Sequence, residues 1–203
     1  MSATTQPDTT HPDAPASTSS PSRDIALIAA FAALISASAY VGAIPVGSAG
    51  VPITLQTLTV MLAGCILGPA RGFSAVTLYL ALGAVGLPVF AEHSSGIGVF
   101  TGPSGGYLLS FPIAAALGGF LVKYVARDRR TRALVVFACS IAASILVIHP
   151  LGIIGMMLHF DVSFLEAATW DMPFWLGDVV KTSLVAMIAA EVHRAFPQLL
   201  HRD

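Results

Sequence analysis

Six long apolar runs follow one another along the chain, at residues 25–43, 53–69, 72–90, 104–123, 133–158 and 174–193. A helix that crosses a bilayer needs about 20 mostly apolar residues, so each run predicts one crossing. Before the first run, residues 1–22 hold Ser, Thr, Pro, Asp and Ala but no aromatic and no Ile, Leu or Val. Such a segment cannot bury enough apolar area to offset its ordering entropy, so 1–22 is expected to be a disordered tail. It also lacks the basic start, apolar stretch and small-residue cleavage site of a signal peptide, so the first run reads as a retained helix. Residues 196–203 are expected to form a short cytoplasmic tail, leaving 23–195 as a six-helix membrane domain. The fifth run carries His149-Pro150, where a kink or interruption is predicted. The segment Phe90–Phe100 is rich in Gly and Ser and reads as a loop. Irregular backbone near membrane depth survives only where protein or a wet cavity covers it, which makes that loop a candidate lid over a pocket.

Composition agrees with the pattern. The chain is 55% hydrophobic and 10% charged over 203 residues, whereas soluble domains carry about 25% charged residues. With the N-terminus inside, the cytoplasmic segments contain Arg23, Arg71, Lys123, Arg127, Arg129, Arg130, Arg132, Arg194 and Arg202. The external segments hold Glu92, Asp161, Glu166 and Asp171 with no Lys or Arg, as the positive-inside rule requires. An odd number of crossings would scramble that division. The reading is therefore an all-α membrane protein with both termini cytoplasmic. A net charge of -1 argues against a nucleic-acid partner, and the basic cluster before the fifth run serves as a topology anchor. Cys65 and Cys139 sit inside apolar runs without a C-x-x-C neighbour, so no metal or redox site is expected.

Candidate chemistry centres on the last run. Asp178 and Lys181 are three residues apart on one helical face, and ionisable groups within a span normally serve a site or a partner. Either they form a self-neutralising pair that fixes helix packing, or they anchor a ligand entering from outside. An acceptor beside a donor suits a neutral group that offers both kinds of hydrogen bond. Thr54, Gln56 and Thr57 open the second helix from the same side, and Tyr79 lies in the third. For Gln56 and Tyr79, a packing hydrogen bond competes with ligand contact. The run Gly102-Pro-Ser-Gly-Gly-Tyr107 starts the fourth helix, where free N–H groups favour an anion. Ala29, Ala33 and Ala37, spaced by four, form a small-residue stripe on helix 1, suited to close helix packing inside the protein or against a partner; Gly64 and Gly68 repeat the idea on helix 2. Gly177-Asp-Val-Val-Lys181-Thr182 is not a phosphate-binding loop, because Val180 stands where glycine is needed. Any ATP-driven work would come from another subunit.

Five ordered motifs carry a family resemblance: Pro-Ile-Thr-Leu-Gln-Thr-Leu at 52–58, Leu-Gly-Pro-x-Arg-Gly at 67–72, Gly-Leu-Pro-Val-Phe at 86–90, Gly-Pro-Ser-Gly-Gly-Tyr at 102–107 and Gly-Asp-x-x-Lys at 177–181. Across about residues 24–195 the chain resembles the BioY family, the biotin-binding S components of energy-coupling factor (ECF) transporters. The resemblance implies a six-helix fold with an outward-open biotin pocket capped by loops, in the plasma membrane of a prokaryote. It implies docking of Ala29, Ala33 and Ala37 on a transmembrane coupling subunit, with two ABC-type ATPases driving release inward and no cofactor. Asp178 and Lys181 would meet the ureido ring of biotin, with Phe90, Tyr107 and Trp175 as apolar walls. For the valerate carboxylate, His93, Ser94 and backbone amides near Ser104 are the candidates, since the external loops lack Lys and Arg. A homo-oligomer remains open.

Two other readings compete. An S component for another vitamin would share the scaffold. A rhomboid-like intramembrane serine protease would also have six helices, and Gly102-Pro-Ser104-Gly resembles its nucleophile motif. That enzyme needs a histidine base within reach of the serine, and the last helix offers only His193, at its cytoplasmic end.

Overall fold

The structure, a computed structural model, describes residues 21–41, 43–45 and 50–200. The tail expected over 1–22 lies outside the described residues except for Pro21 and Ser22, which begin the first helix. Helix α1 is Pro21–Tyr40. A minimal antiparallel ladder follows, β1 Ile44–Pro45 against β2 Pro52–Ile53 with Ile44 opposite Ile53. Helices α2 (Gln56–Leu67) and α3 (Pro69–Ala84) meet at Gly68, whose φ of 87° is open to glycine. Pro69 then starts α3 where a missing N–H costs nothing.

Residues 85–104 are not helical throughout but fold as a loop with two 3₁₀ turns, Ala91–His93 and Ile97–Thr101. The run expected to reach residue 90 therefore stops at Ala84, just before the Gly86-Leu87-Pro88 turn. Helix α4 is Gly105–Phe120, extended by a π turn over Leu121–Val125.

In the fifth run, where a kink or interruption is expected at His149-Pro150, the helix is not interrupted but carries a π turn just ahead of the proline. Helix α5 (Ala133–Ala143) continues through a π turn, Ser144–Ile148, into α6 (His149–Phe160) as one 28-residue helix. A wide turn just ahead of the proline gives its ring room beside the preceding carbonyls, so the helix absorbs Pro150 instead of stopping there.

The last helix, α7, also differs from expectation. It spans Phe164–Ala195, beginning ten residues before the expected start at 174, and contains Pro173. Ser163 accepts the N–H of Glu166 at its start, one half of a capping box. That capping signal, read here as a loop, outweighs the proline. Asp171, expected in an external loop, is consequently inside α7 and 0% exposed.

Four helical stretches are long and apolar enough to cross a membrane: Pro21–Tyr40, Gly105–Val125, Ala133–Phe160 and Phe164–Ala195. The 12-residue α2 rises about 18 Å and the 16-residue α3 about 24 Å at 1.5 Å per residue, less than a hydrocarbon core of about 30 Å. Helix α2 instead forms the core, with ten of its twelve residues buried. Glycines bring its neighbours close: a Cβ at Gly64 would fall 2.1 Å from the Ala115 carbonyl oxygen of α4. Helices α4 and α6 cross just as tightly at Gly106 and Gly155.

Basic side chains tie one end of the bundle together. Arg71 pairs with Asp24 at 3.1 Å and donates to the Leu199 carbonyl at 2.6 Å. Arg130 reaches the Pro197 carbonyl, and Arg194 that of Thr131. Leu199 and Leu200 are buried, so the C-terminal segment docks on this end at least as far as Leu200. The opposite end carries the loops.

Candidate functional site

A cavity of about 240 Å³ lies beneath the loop end, enclosed by the starts of α2 and α4, the middle of α7, the junction into α6 and the 90–104 loop. Its walls are mainly apolar, with Phe90, Tyr107, Phe111 and Phe174 among them. Sites for small molecules usually enclose about 300–1,000 Å³ with a few placed polar groups, so this cavity suits a solute at the small end of that range.

Asp178 and Lys181 both line it. Lys181 Nζ is 2.7 Å from Asp178 Oδ1, donates to Thr57 Oγ1 at 2.6 Å and reaches the Thr54 carbonyl at 3.4 Å. Thr57 can in turn donate to Asp178 Oδ1 at 3.4 Å. The other carboxylate oxygen accepts from Ser144 Oγ at 2.8 Å. Ser144 is the first residue of the π turn, an irregularity frequently found at functional sites. Both charges are thus held in place at the edge of an empty space, each less than a tenth exposed.

A second buried carboxylate stands behind the first. Asp171 Oδ1 accepts from the Tyr107 hydroxyl at 2.6 Å, and Oδ2 accepts from Trp175 Nε1 at 2.7 Å. His149 Nδ1 lies 2.8 Å from the same Oδ2, while its Nε2 lies 3.5 Å from Asp178 Oδ2. Trp175 stacks on the imidazole with centroids 4.5 Å apart. Tyr107, itself a cavity wall, packs against Gly152, where a Cβ would come within 2.2 Å of the ring.

The remaining residues singled out from the sequence fall in different places. Thr54, Gln56, Phe90, Ser104 and Tyr107 line the cavity with Asp178 and Lys181. Tyr79 does not; it is fully buried and accepts from Gln56 Nε2, while Thr54 Oγ1 donates to Gln56 Oε1. Trp175 is also off the cavity wall, 45% exposed and engaged with His149 and Asp171. His93 is exposed at a φ of 60°, edge-on to Tyr40 and outside the lining, whereas Ser94 reaches the cavity. Ser104 precedes α4 without capping it through its side chain.

The sequence reading did not single out Ser144, His149, Asp171 or Phe174 for the site, and quoted Thr57 only within a motif. A signal existed for Asp171: positions 171, 174, 178 and 181 share one helical face, provided the helix runs through Pro173.

Ala29, Ala33 and Ala37 are all exposed, because α1 turns Ala32, Ile35, Ser38 and Ala39 inward. Gly64 is instead committed to internal packing, and Gly68 to the turn into α3.

The BioY family model matches residues 9–198. The biotin transporter BioY of Rhodobacter capsulatus is 42% identical over 190 residues, which cover 88% of this chain and 97% of that protein. The biotin transporter BioY of Thermotoga maritima is 36% identical over 166 residues, covering 81% and 92% respectively. A crystal structure of the S-component for biotin from an ECF-type ABC transporter superposes with a TM-score of 0.80 at 27% identity, covering 85% of this chain and 92% of that one.

Proposed function

This chain belongs to the BioY family, and from that premise we propose that it is the biotin-capturing S component of an ECF transporter. It takes up biotin across the plasma membrane of a prokaryote, with a coupling subunit and two ATPases supplying the work. The observation that carries this reading is the Asp178–Lys181 pair at the wall of a mostly apolar cavity. A ureido ring offers two N–H donors and one strong acceptor. Asp178 accepts from a ureido N–H, and Lys181 exchanges the Thr57 hydroxyl for the ureido oxygen. Phe90, Tyr107 and Phe174 enclose the thiophane ring.

The valerate carboxylate extends toward the loops. Among the described residues the cavity wall has no Lys or Arg besides Lys181, so the start of α4 at Ser104 is the favoured partner, through N–H groups of its first turn and the positive end of the helix dipole. Tyr79 acts by fixing Gln56, and His93 by bracing the loop on Tyr40.

Six crossings with both termini inside are the arrangement we favour, because the basic residues gather at the end opposite the cavity. The exposed Ala29, Ala33 and Ala37 then form a docking stripe for the coupling subunit. The protease reading finds no support: His149 turns one ring nitrogen to each carboxylate, and Ser104 has no histidine partner among the described residues.

Equilibrium titration of the purified chain tests the proposal. Biotin is expected to bind and to resist competition by thiamine or riboflavin. Displacement by either vitamin would shift the assignment to another S component, and absence of biotin binding would refute it.

A further inference from the structure

Asp171 is fully buried in α7 and does not line the cavity, yet two of its hydrogen-bond partners do. Oδ1 accepts from the Tyr107 hydroxyl at 2.6 Å, and Oδ2 lies 2.8 Å from His149 Nδ1. Trp175 Nε1 donates to the same Oδ2 at 2.7 Å, and its ring stacks on His149 with centroids 4.5 Å apart. One carboxyl group thus ties a wall residue of α4 and a wall residue of α6 to α7. Tyr107 is confined on other sides as well, by Gly152 and by the tilted ring of Phe174 at 5.6 Å. A buried polar group is costly unless it is hydrogen-bonded, and an apolar residue would fill position 171 without that requirement. A fully satisfied buried network holds its side chains in a single arrangement. Here the arrangement that is held is part of the ligand cavity.

We propose that Asp171 is a positioning residue that sets which ring system the cavity accepts. Through Tyr107 and His149 it keeps the wall rigid, and a rigid wall favours a ligand with a fused second ring over one with an open chain in that place. Ring selection of this kind rests on biotin as ligand, with its thiophane ring against Tyr107 and Phe174. A side chain immobilised before the ligand arrives need not be ordered on binding. A Tyr107 free to swing would have to be ordered by a fused ring, whereas an open chain could adapt to it. Asp178 and Lys181 meet the ureido ring, so they cannot tell biotin from desthiobiotin, which keeps that ring but carries an open chain in place of the thiophane. Discrimination between the two falls to the wall that Asp171 holds.

Titration of the purified full chain with biotin and with desthiobiotin tests this. The ratio of the two dissociation constants does not depend on the fraction of protein folded, so a purely structural role would not move it. The unsubstituted chain is expected to prefer biotin. Asp171→Asn turns an N–H toward groups that need an acceptor, and the preference is expected to fall by about three- to tenfold, the scale of one side chain left to be ordered. Asp178→Asn is expected to weaken both ligands and leave the ratio as it was. Tyr107→Phe keeps the ring but severs the same contact, so it lowers the ratio even where Asp171→Asn fails to fold. An unchanged ratio in either folded variant, or an equal fall in Asp178→Asn, overturns the proposal. In the ligand-free chain labelled with fluorotyrosine, the ¹⁹F line of Tyr107, identified by its loss in Tyr107→Phe, is expected to shift or broaden in Asp171→Asn. The line of Tyr124, at the far end of α4, stays in place. An unmoved Tyr107 line overturns the positioning whatever the ligand, whereas absence of biotin binding alone overturns the ligand assignment and not the positioning.

Discussion

At the scale of single residues, the site is a set of charges whose positions are fixed before a ligand arrives. Asp178→Asn leaves Lys181 facing a neutral amide, and breaking a buried pair in this way costs about 3–5 kcal/mol. That cost falls on folding stability; for binding, the ligand loses a charged acceptor worth about 1.5–3 kcal/mol, so isothermal titration is expected to show biotin affinity reduced by about one to two orders of magnitude, as 1.4 kcal/mol corresponds to tenfold. Thr57→Val removes a neutral partner of Lys181 that the ligand is proposed to displace, so it should cost about 1 kcal/mol of folding stability while biotin affinity is retained. Gly152→Ala drives a methyl group into the Tyr107 ring. Overpacking of that kind costs about 1–3 kcal/mol, and a lower unfolding temperature together with weaker biotin binding is the expected readout.

Asp178 and Lys181 were legible in the sequence because a charge inside an apolar run stands out against its neighbours. Asp171 was not, because it precedes Pro173 and looked like part of a loop. Ser144 and His149 were hidden for a different reason. A π turn shifts which side chains share a face, and nothing in the spacing of residues 133–158 announces one.

At the scale of elements, sequence reading located the helices well but their ends less so. The apolar runs identified α1, α4, α5 with α6, and α7, yet a proline was given too much weight in two of them. Pro150 and Pro173 both lie inside continuous helix. A proline removes one hydrogen bond and crowds one carbonyl, and the long apolar surface on either side keeps the helix intact. Helix α2 was recognisable by its motif, but its shortness follows from being enclosed by its neighbours, which hydropathy does not report. The exposed alanine stripe of α1 yields a prediction at this scale. Ala33→Trp adds bulk where close helix approach is proposed. Biotin binding by the isolated chain should persist, while ATP-dependent uptake of labelled biotin by the assembled transporter should drop severely. Undiminished uptake would exclude this stripe as the docking face.

For the whole molecule, the division of charge between the two ends of the bundle predicts how it sits in the membrane. Single cysteines placed in a chain lacking Cys65 and Cys139 report this with a membrane-impermeant thiol reagent on intact cells. Gly98→Cys in the loop is expected to label, and Arg129→Cys between α4 and α5 is expected to label only after the cells are opened. The reverse pattern would invert the molecule and turn the cavity toward the cytoplasm.

Most directly at stake is whether the buried acid and amine grip the polar ring of the ligand. A structure of the chain bound to biotin answers this. The ureido oxygen is expected within about 3 Å of Lys181 Nζ and a ureido N–H within hydrogen-bond reach of Asp178, with the valerate carboxylate near Ser104. Biotin bound with its carboxylate on Lys181, or seated away from both side chains, would contradict the account.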